Sequence, residues 1–376
     1  MKQDQDFYLI IESAIFKVAG NQEYAKEFLS KATNLSRFVL GKNDDSAAII
    51  RQYKIDGVVD DFSVPNSFWN NVPLINSSNL PSDAIIINCS TSISPISADK
   101  ILLKTKARKI LSLNELLYAA NGKLALPWFV EQMRTEYNKD KSNWQNLYFL
   151  LTDSESQKTL LDIMRYRLTA DLAYMQAYSV RLNEQYFEDF MQFDNEVFVD
   201  AGGFDGDTTI EFCRRYPNYK EVLFFEPSII NLKAAKEQTK NFRDIVYYEV
   251  GLSDKEELLS FDPSAGSASS VTQNGSQIIS VTTLDSLVIK PVSFIKMDLE
   301  GWELKALSGC KNHIIQDSPK LAIAVYHNSS DFYEIPNYIL SLNSNYDVYL
   351  RHYTEGWSET VMYFVPKSIK SNIIPK

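Results

Sequence analysis

The segment from Phe198 to Asp207, FVDAGGFDGD, joins an apolar run to a glycine-bearing turn that is rich in carboxylates. The run favours a β-strand, and the residues after the turn, TTIEFC, favour a helix. A strand, a tight glycine turn and a helix together bring backbone N–H groups to a ligand. The carboxylates of Asp200 and Asp205 would repel a pyrophosphate and suit a cationic ligand such as the sulfonium of S-adenosylmethionine.

The glycine spacing of this turn excludes the dinucleotide fingerprint. The pattern G-x-G-x-x-G, started at Gly202, requires glycine at two positions that hold Phe204 and Asp207. What remains is D-x-G-x-x-x-G, which runs from Asp200 to Gly206. The alternative interpretation is an ordinary connection between a strand and a helix, without any ligand.

Further carboxylates follow the next apolar runs. Glu226 ends the run VLFF, at about the 20-residue distance where a nucleotide-binding α/β fold has an acid that accepts hydrogen bonds from ribose hydroxyls. A third run, FIKM, closes on Asp298, Glu300 and Gly301. His327 follows the apolar run at 321–326, so it would lie at the C-terminal end of a strand.

Asp298, Glu300 and His327 are the candidates for acid–base chemistry. The two carboxylates would point to opposite faces of a continuous strand, and they converge only if the chain turns after Asp298, which Gly301 permits. Glu300 could instead cap the helix expected from about Trp302, and His327 could be purely structural. The three side chains could also bind a divalent ion together, although our primary interpretation assigns no metal.

The C-terminal half resembles the FkbM family of S-adenosylmethionine-dependent methyltransferases. The matching segments, which occur in family order, are DAGGFDGDTT (200–209), FFEP (224–227), VGLSD (250–254), SVTTLDSL (280–287), IKMDLEGWELKALSG (295–309) and AVYH (324–327). Many members have Asn where this chain has Phe204, which removes one hydrogen bond to a ligand but leaves the turn geometry intact.

The resemblance implies a Rossmann-like methyltransferase domain of class EC 2.1.1.- that uses S-adenosyl-L-methionine. The cofactor-binding residues that it implies are Asp200, Ala201, Gly202, Gly203 and Asp205 for the methionine end, Glu226 and Pro227 for the ribose, Ser253 and Asp254 for the adenine edge, and Asp298. The catalytic residues would be His327, Asp298 and Glu300 near the transferred methyl group. His327 is the expected base, because the unperturbed pKa of histidine lies near working pH.

The expected function is O-methylation of a hydroxyl on a sugar or sugar-containing metabolite, so that the partner is a small-molecule or carbohydrate acceptor. One alternative is a nucleotide-sugar oxidoreductase or epimerase that uses NAD, which the missing G-x-G-x-x-G and the missing Y-x-x-x-K base disfavour. Another is a non-catalytic binding protein with a decayed site, which the intact carboxylates disfavour.

Composition narrows the class of protein. A net charge of −10 over 376 residues argues against nucleic acid or an anionic membrane as the main partner. Cys89, Cys213 and Cys310 include no C-x-x-C pair, so we expect no disulfide framework and no zinc site. The N-terminus has no signal-peptide pattern and no apolar run is long enough to span a membrane, so we expect a cytoplasmic protein.

The predicted fold class is α/β, with three divisions. Residues 1–120 form a small Rossmann-like unit, residues 121–193 a helical connecting segment, and residues 194–376 a mostly parallel methyltransferase sheet with a C-terminal antiparallel hairpin. In the N-terminal unit, Gly41, Asp60 and Asp61 could contact a ligand. The alternative is a scaffold, or a surface through which the chain forms a homo-oligomer.

The periodicity also predicts individual elements. Strands are expected at 37–40, 56–61, 85–89 and 109–112, and helices at 7–32, 45–53, 113–120, 129–137 and 153–185. Ser46 or Asp44 would cap the second of these helices. The Ser/Gly-rich stretch 262–275 is expected to be a loop between methyltransferase strands or part of an inserted hairpin.

Overall fold

The computed structural model describes residues 2–30, 32, 34–262, 270–271 and 277–367. The helices are α1 (Lys2–Phe16), α2 (Gln22–Leu29), α3 (Asp44–Gln52), α4 (Pro95–Leu102), α5 (Leu113–Ala120), α6 (Trp128–Lys139), α7 (Lys141–Leu150), α8 (Ser154–Thr169), α9 (Asp207–Arg215), α10 (Ile229–Thr239), α11 (Leu284–Leu287), α12 (Glu303–Ser308), α13 (Lys311–Gln316) and α14 (Asp331–Leu342). The strands are β1 (Arg37–Leu40), β2 (Gly57–Val59), β3 (Phe68–Trp69), β4 (Val72–Ile75), β5 (Ile85–Asn88), β6 (Lys109–Ser112), β7 (Val197–Ala201), β8 (Glu221–Phe225), β9 (Ile245–Tyr248), β10 (Gly251–Leu252), β11 (Glu257–Asp262), β12 (Ser270–Val271), β13 (Gln277–Thr282), β14 (Phe294–Met297), β15 (Lys320–Ala324), β16 (Tyr346–His352) and β17 (Thr360–Pro366). Within these described residues, no helix has the length and apolar character that a membrane span requires.

The chain divides into two compact units that are interleaved in sequence. The first contains the residues up to Gln145 together with Lys158–Arg181 and His352–Glu359. The second contains Asn146–Gln157, Leu182–Arg351 and the residues from Thr360 onward. The contiguous division at 120/121 and 193/194 therefore stays a prediction about which parts of the chain fold independently.

The first unit is built on a six-stranded sheet with the order β3-β4-β2-β1-β5-β6. The pairs from β4 to β6 are all parallel, and β3 joins β4 in an antiparallel hairpin that the sequence analysis missed. Strands such as β5, with the sequence IIIN, are buried on both faces, which is why they read as continuous apolar runs. The predicted strands at 37–40, 85–89 and 109–112 are confirmed within one residue at each end.

Several predicted helix limits in this unit are wrong. The helix expected over 7–32 is two helices, because the chain leaves the helical region between α1 and α2, where Asn21 has a φ of +50°. Asn43, rather than Ser46 or Asp44, is the N-cap of α3, and Ser46 completes the capping box from the third helical position. The helix expected over 153–185 ends at Thr169, since Ala170 has a φ of +57°.

The second unit contains the predicted methyltransferase-type sheet, with the order β16-β17-β15-β14-β7-β8-β9. The five strands from β15 to β9 are parallel, and β17 runs antiparallel to β15. The α/β class, the mostly parallel sheet and the C-terminal strand pair are therefore as predicted. Phe198 of β7 stacks on Phe294 of β14 with ring centroids 4.6 Å apart, which fixes the two central strands on one face of the sheet.

A smaller four-stranded sheet with the order β10-β13-β11-β12 lies after β9 in the chain. Strands β11 and β13 pair antiparallel, so the inserted hairpin is the correct one of the two predicted alternatives. Most of the predicted Ser/Gly-rich loop at 262–275 falls outside the described residues. All three cysteines, Cys89, Cys213 and Cys310, are buried free thiols.

Candidate active site

The central feature of the second unit is a row of three residues at the C-terminal edge of its sheet. The last residues of β14, β7 and β8 pair side by side, so that Asp298, Gly202 and Glu226, which follow them, lie in one row. The amide of each donates to a carbonyl of the neighbouring strand at 3.1–3.2 Å. Neighbouring strands are about 4.8 Å apart, so the row spans about 10 Å. Ligands of open α/β sheets bind at this edge.

The turn after β7 has a backbone that glycine alone fits at its start. A Cβ on Gly202 would lie 2.0 Å from the carbonyl oxygen of Asp298, and a Cβ on Gly203 would lie 2.2 Å from the ring of Phe224. Gly202 also has a φ of +73°, in the left-handed region that glycine favours. The predicted glycine turn is therefore confirmed, and it is packed closely against two neighbouring strands.

Phe204 adopts a left-handed φ of +48°, a conformation that Asn tolerates better than Phe. Its backbone amide donates to Glu226 Oε2 at 3.0 Å, which fixes the turn against the end of β8. The turn geometry thus survives the departure from the FkbM pattern at this position. The next turn residue, Asp205, accepts a hydrogen bond from the exposed side chain of Gln238.

Asp200 is fully buried beneath the turn, and both of its carboxylate oxygens face groups of the protein. Thr209 of α9 donates to Oδ2 at 2.6 Å, and Lys296 Nζ lies 3.1 Å from Oδ1. Lys296 also donates to the carbonyl of Gly202 at 2.8 Å. Burial lowers the pKa of Lys296, but Asp200 and Asp298 raise it by more, so the ammonium stays charged. The sequence analysis missed Lys296, although a lysine inside the apolar strand FIKM indicates a buried carboxylate partner.

Glu226 is buried at the end of β8 and accepts three hydrogen bonds from described residues. The donors are the amides of Phe204 and Ser228 and the side chain of Asn231, at 3.0, 2.8 and 3.3 Å. Burial raises the pKa of Glu226, and the two amides and Asn231 oppose that rise. A carboxylate has about four acceptor positions, so these bonds leave capacity for one further donor.

The predicted adenine-edge residues Ser253 and Asp254 follow β10. Ser253 is buried, accepts a hydrogen bond from Trp302 Nε1 at 3.2 Å, and donates to Asp254 at 3.1 Å. A Cβ on Gly309 would lie 2.0 Å from the carbonyl oxygen of Ser253, so this loop packs directly on the end of α12. Pro227, next to Glu226, lies within 4 Å of where a Cβ on Gly251 would be, which brings the β8 and β10 ends together.

The structure brings Asp298, Glu300 and His327 together. His327 Nε2 lies 3.5 Å from Asp298 Oδ1 and 3.3 Å from Glu300 Oε2. The carboxylates converge because the chain leaves the strand after Met297, and Glu300 adopts a left-handed φ of +52°. Two predictions need correction: β15 ends at Ala324, so His327 lies in the loop beyond it, and Glu300 does not cap the following helix.

Glu303, the first residue of α12, was missed by the sequence analysis and binds the loop that precedes the helix. Its Oε1 accepts the amide of Leu299 at 2.7 Å and lies 3.0 Å from His327 Nδ1, while the side chain is fully buried. Tyr186, also missed, donates to Asp298 Oδ2 at 2.7 Å. Glu303 lies inside the matching segment 295–309, where the sequence analysis gave it no role, and Tyr186 lies outside all the matching segments, before the first strand of the unit. Their roles depend on packing that no local pattern reveals.

The charge of this cluster is strongly negative. Burial alone lowers the pKa of His327, but the surrounding carboxylates, Glu303 first, raise it by more, and the net pKa lies well above its ordinary value. Nearby Asp331 has a pKa raised to about 7, chiefly by burial and then by Glu303. The loops after β14 and β15 therefore form a buried acidic region that favours a bound positive charge.

The two candidate carboxylates of the first unit, Asp60 and Asp61, are paired with other side chains and amides of the same unit. Asp60 lies 2.6 Å from Lys42 Nζ, and Asp61 accepts hydrogen bonds from the amide and hydroxyl of Ser77. Gly41 has a φ of +104° and forms the turn into α3. Ligand binding by this unit stays a prediction.

The comparisons with known proteins concern the second unit and the fold of the chain. Residues 200–348 match the family model described as methyltransferase FkbM domain. The chain is similar to the solved structure of methyltransferase FkbM from Methylobacillus flagellatus KT, with 23% identity over 96% of this chain and 98% of that chain and a TM-score of 0.73, which shows a common fold. Two further matches are too weak to carry an argument. An rRNA methylase from Streptococcus thermophilus is 15% identical over 46% of this chain and 88% of that chain, with a TM-score of 0.31. Fibrillarin from Aeropyrum pernix, bound to S-adenosyl-L-methionine, is 11% identical over 52% of this chain and 76% of that chain, with a TM-score of 0.32. No protein of curated function matches the chain.

Proposed function

We propose that this chain is a methyltransferase that uses S-adenosyl-L-methionine and methylates a hydroxyl of a sugar or sugar-containing metabolite. The match of residues 200–348 to the methyltransferase FkbM domain supports the proposal. The observation that carries the proposal is the row formed by Asp298, Gly202 and Glu226 at the C-terminal edge of the sheet. It combines a glycine turn in the middle with a carboxylate-bearing residue on the neighbouring strand end on either side, where strands are about 4.8 Å apart. One carboxylate is suited to a ribose, and the other belongs to the acidic cluster with His327.

The charge of the site supports a cationic cofactor over a dinucleotide. The carboxylates of Asp205, Asp207, Glu226 and Asp298 surround the turn, and Lys296 is already paired with Asp200 beneath it. A pyrophosphate would meet these carboxylates without a free cation among the described residues of the turn, whereas a sulfonium and an ammonium would be attracted. The donor and acceptor set therefore fits S-adenosylmethionine and does not fit NAD.

The proposed contacts follow the order of the strands. Asp200, Ala201, Gly202, Gly203 and Asp205 would hold the methionine end, with Asp200 acting through Lys296 on the shape of the turn. Glu226, with Pro227, would accept one ribose hydroxyl at its remaining acceptor position. Ser253 and Asp254 would meet the adenine edge. When bound, S-adenosylmethionine supplies an electrophilic methyl group.

The acidic cluster would position the acceptor hydroxyl and take its proton. Without a bound cation, the surrounding carboxylates raise the pKa of His327 well above its ordinary value, so the ring would be protonated, would donate a hydrogen bond to the acceptor oxygen and would not remove its proton. Asp298 or Glu300 would then accept the proton at a carboxylate oxygen. This assignment changes the expected role of His327 from base to hydrogen-bond donor, and it remains a proposal.

Calorimetric titration of the full chain with S-adenosylhomocysteine and with NAD, in parallel, tests the cofactor. We expect S-adenosylhomocysteine to bind with a micromolar Kd, about −7 to −8 kcal/mol, and NAD not to bind. Tight binding of NAD without any response to S-adenosylhomocysteine would refute the proposal. Transfer of labelled methyl groups to a panel of free sugars and nucleotide sugars then tests the acceptor class, and it is a separate question from cofactor binding.

A further inference from the structure

The carboxylate–histidine cluster, defined as Asp298, Glu300 and His327, has the composition of a metal centre. Each residue offers one ligand atom, and these three atoms all lie within 4.8 Å of one another. They come from two neighbouring loops, after β14 and after β15, so the parallel pairing of those strands sets their separation. A cluster of acids alone would be an ordinary surface feature, but here a buried imidazole completes the set.

The distances from His327 to the two carboxylates match the edges of a coordination polyhedron, and the two carboxylate atoms lie within 4.8 Å of each other. Two ligands bound at about 2.1 Å lie about 3.0 Å apart in octahedral geometry and about 3.4 Å apart in tetrahedral geometry. His327 Nε2 lies 3.5 Å from Asp298 Oδ1 and 3.3 Å from Glu300 Oε2. An ion could therefore contact all three atoms without any large movement of the backbone.

Two of the three ligand atoms, His327 Nε2 and Asp298 Oδ1, are buried without a hydrogen bond from the described residues. The His327 side chain is only 9% exposed, yet neither ring nitrogen makes an aligned hydrogen bond to a described residue. Asp298 Oδ1 is likewise buried without a hydrogen bond from the described residues. The ion-pair distances in the cluster are thus close contacts without hydrogen-bond geometry, and such buried polar atoms require a partner.

The residues behind the cluster hold its members in a binding orientation. Fully buried Glu303 faces the opposite ring nitrogen of His327, Nδ1, at 3.0 Å, which directs Nε2 towards Asp298 and Glu300. Tyr186 donates to the other oxygen of Asp298, leaving Oδ1 available. Metal-ligating histidines characteristically have a carboxylate or carbonyl behind the second nitrogen. We propose that Asp298, Glu300 and His327 bind one divalent cation, oriented by Glu303 and Tyr186.

The donor set favours a first-row divalent ion. Imidazole nitrogen suits Zn²⁺ and Fe²⁺, and carboxylate oxygens suit Mn²⁺ and Mg²⁺, so one imidazole with two carboxylates suits Mn²⁺ or Zn²⁺. Three protein ligands leave at least one coordination position open. In a role that rests on the proposed function, the cation would replace the proton on His327 Nε2, and the acceptor hydroxyl would occupy the open position. With Asp298 and Glu300 bound to the cation, the hydroxyl would lose its proton to solvent and not to these carboxylates.

The test uses the full chain, treated with a chelator and then titrated with Mn²⁺ alone, with free Mn²⁺ measured by electron paramagnetic resonance. We expect one Mn²⁺ per chain with a micromolar Kd, displaced by Zn²⁺. Asp298→Asn and His327→Gln should weaken binding by more than about 100-fold, and Glu303→Gln by about 10- to 100-fold, because Glu303 only orients the ring. Exposed Glu256→Gln is the matched control and should leave the Kd unchanged.

Thermal unfolding of each variant shows whether it folds. Glu300→Gln replaces any variant that does not fold, because the Glu300 side chain is the most exposed of the three proposed ligands. The proposal is overturned if the unmodified chain does not bind Mn²⁺, or if all the ligand variants bind Mn²⁺ as tightly as the unmodified chain. The same proteins are titrated with S-adenosylhomocysteine in the absence of metal. If the unmodified chain binds S-adenosylhomocysteine but not Mn²⁺, the cation site is refuted and the proposed function is not. If the unmodified chain does not bind S-adenosylhomocysteine, the proposed function is refuted.

Discussion

Replacement of Lys296 by methionine is the sharpest test of how the glycine turn is supported. The ammonium is 4% exposed and lies 3.1 Å from Asp200, whose carboxylate is fully buried. Removing one partner of a buried ion pair leaves an uncompensated charge, which costs about 3–5 kcal/mol. We therefore expect Lys296→Met to lower the free energy of unfolding of the second unit by that amount. Urea unfolding followed by tryptophan fluorescence measures it.

A double substitution separates the ion pair from simple loss of packing. In Lys296→Met/Asp200→Asn, the amide oxygen can still accept the hydrogen bond from Thr209, and neither residue of the pair carries a charge. The double variant should be more stable than Lys296→Met, with a coupling energy of about 1–3 kcal/mol. The control is Lys290→Met, because Lys290 forms an exposed pair with Glu221 and should change stability by less than about 1 kcal/mol.

The same substitution should also affect ligand binding. Lys296 donates to the carbonyl of Gly202 at 2.8 Å, so its loss frees the first residue of the turn. We expect S-adenosylhomocysteine affinity to fall by about 10-fold, which corresponds to one hydrogen bond made by a charged donor. The buried pair does not support the turn if two results are found together. The free energy of unfolding of Lys296→Met would lie within about 1 kcal/mol of that of the unmodified chain, and the variant would bind S-adenosylhomocysteine equally well.

Three further substitutions test other parts of the site. Glu226→Ala should weaken S-adenosylhomocysteine binding by about 1.5–3 kcal/mol while the fold persists, and an unchanged Kd in calorimetry would show that Glu226 is not at the ribose. Gly202→Ala should lower the free energy of unfolding by more than the strain of about 1–2 kcal/mol in a left-handed alanine, because its Cβ would lie 2.0 Å from the carbonyl oxygen of Asp298. The control is Gly122→Ala, which carries the strain without the contact, since Gly122 has a φ of +80° and nothing lies within 4 Å of its Cβ position. Asp331 has a folded-state pKa of about 7 against an ordinary 3.8, so the native state binds more protons between these values and stability falls as pH rises through them. Asp331→Asn should therefore gain stability over the unmodified chain at pH 8, with the gain shrinking towards pH 4, and equal urea midpoints for the two proteins at both pH values would contradict this.

Local patterns of the sequence were sufficient to identify most of the second unit. The apolar runs at β7, β8 and β14 and the glycine turn after β7 predicted strand–turn–helix units, and parallel strands place such turns at one edge of a sheet. The glycine spacing excluded the G-x-G-x-x-G pattern, because Phe204 and Asp207 occupy two of its glycine positions. Helix limits were predicted less well, because single residues such as Asn21 and Ala170 take left-handed conformations that periodicity does not reveal.

Asp298, Glu300 and His327 could be chosen as candidates from their residue types and their positions after apolar runs. Their contacts could be obtained only from the folded chain, because they involve groups distant in sequence. Tyr186, 112 residues before Asp298, holds one of its oxygens, and Lys296, 94 residues after Gly202, holds the turn. Glu303, the first residue of α12, accepts the amide of Leu299 in the preceding loop and faces His327. Burial and nearby charge fix the protonation of such a cluster, and both arise from the packing of loops after different strands.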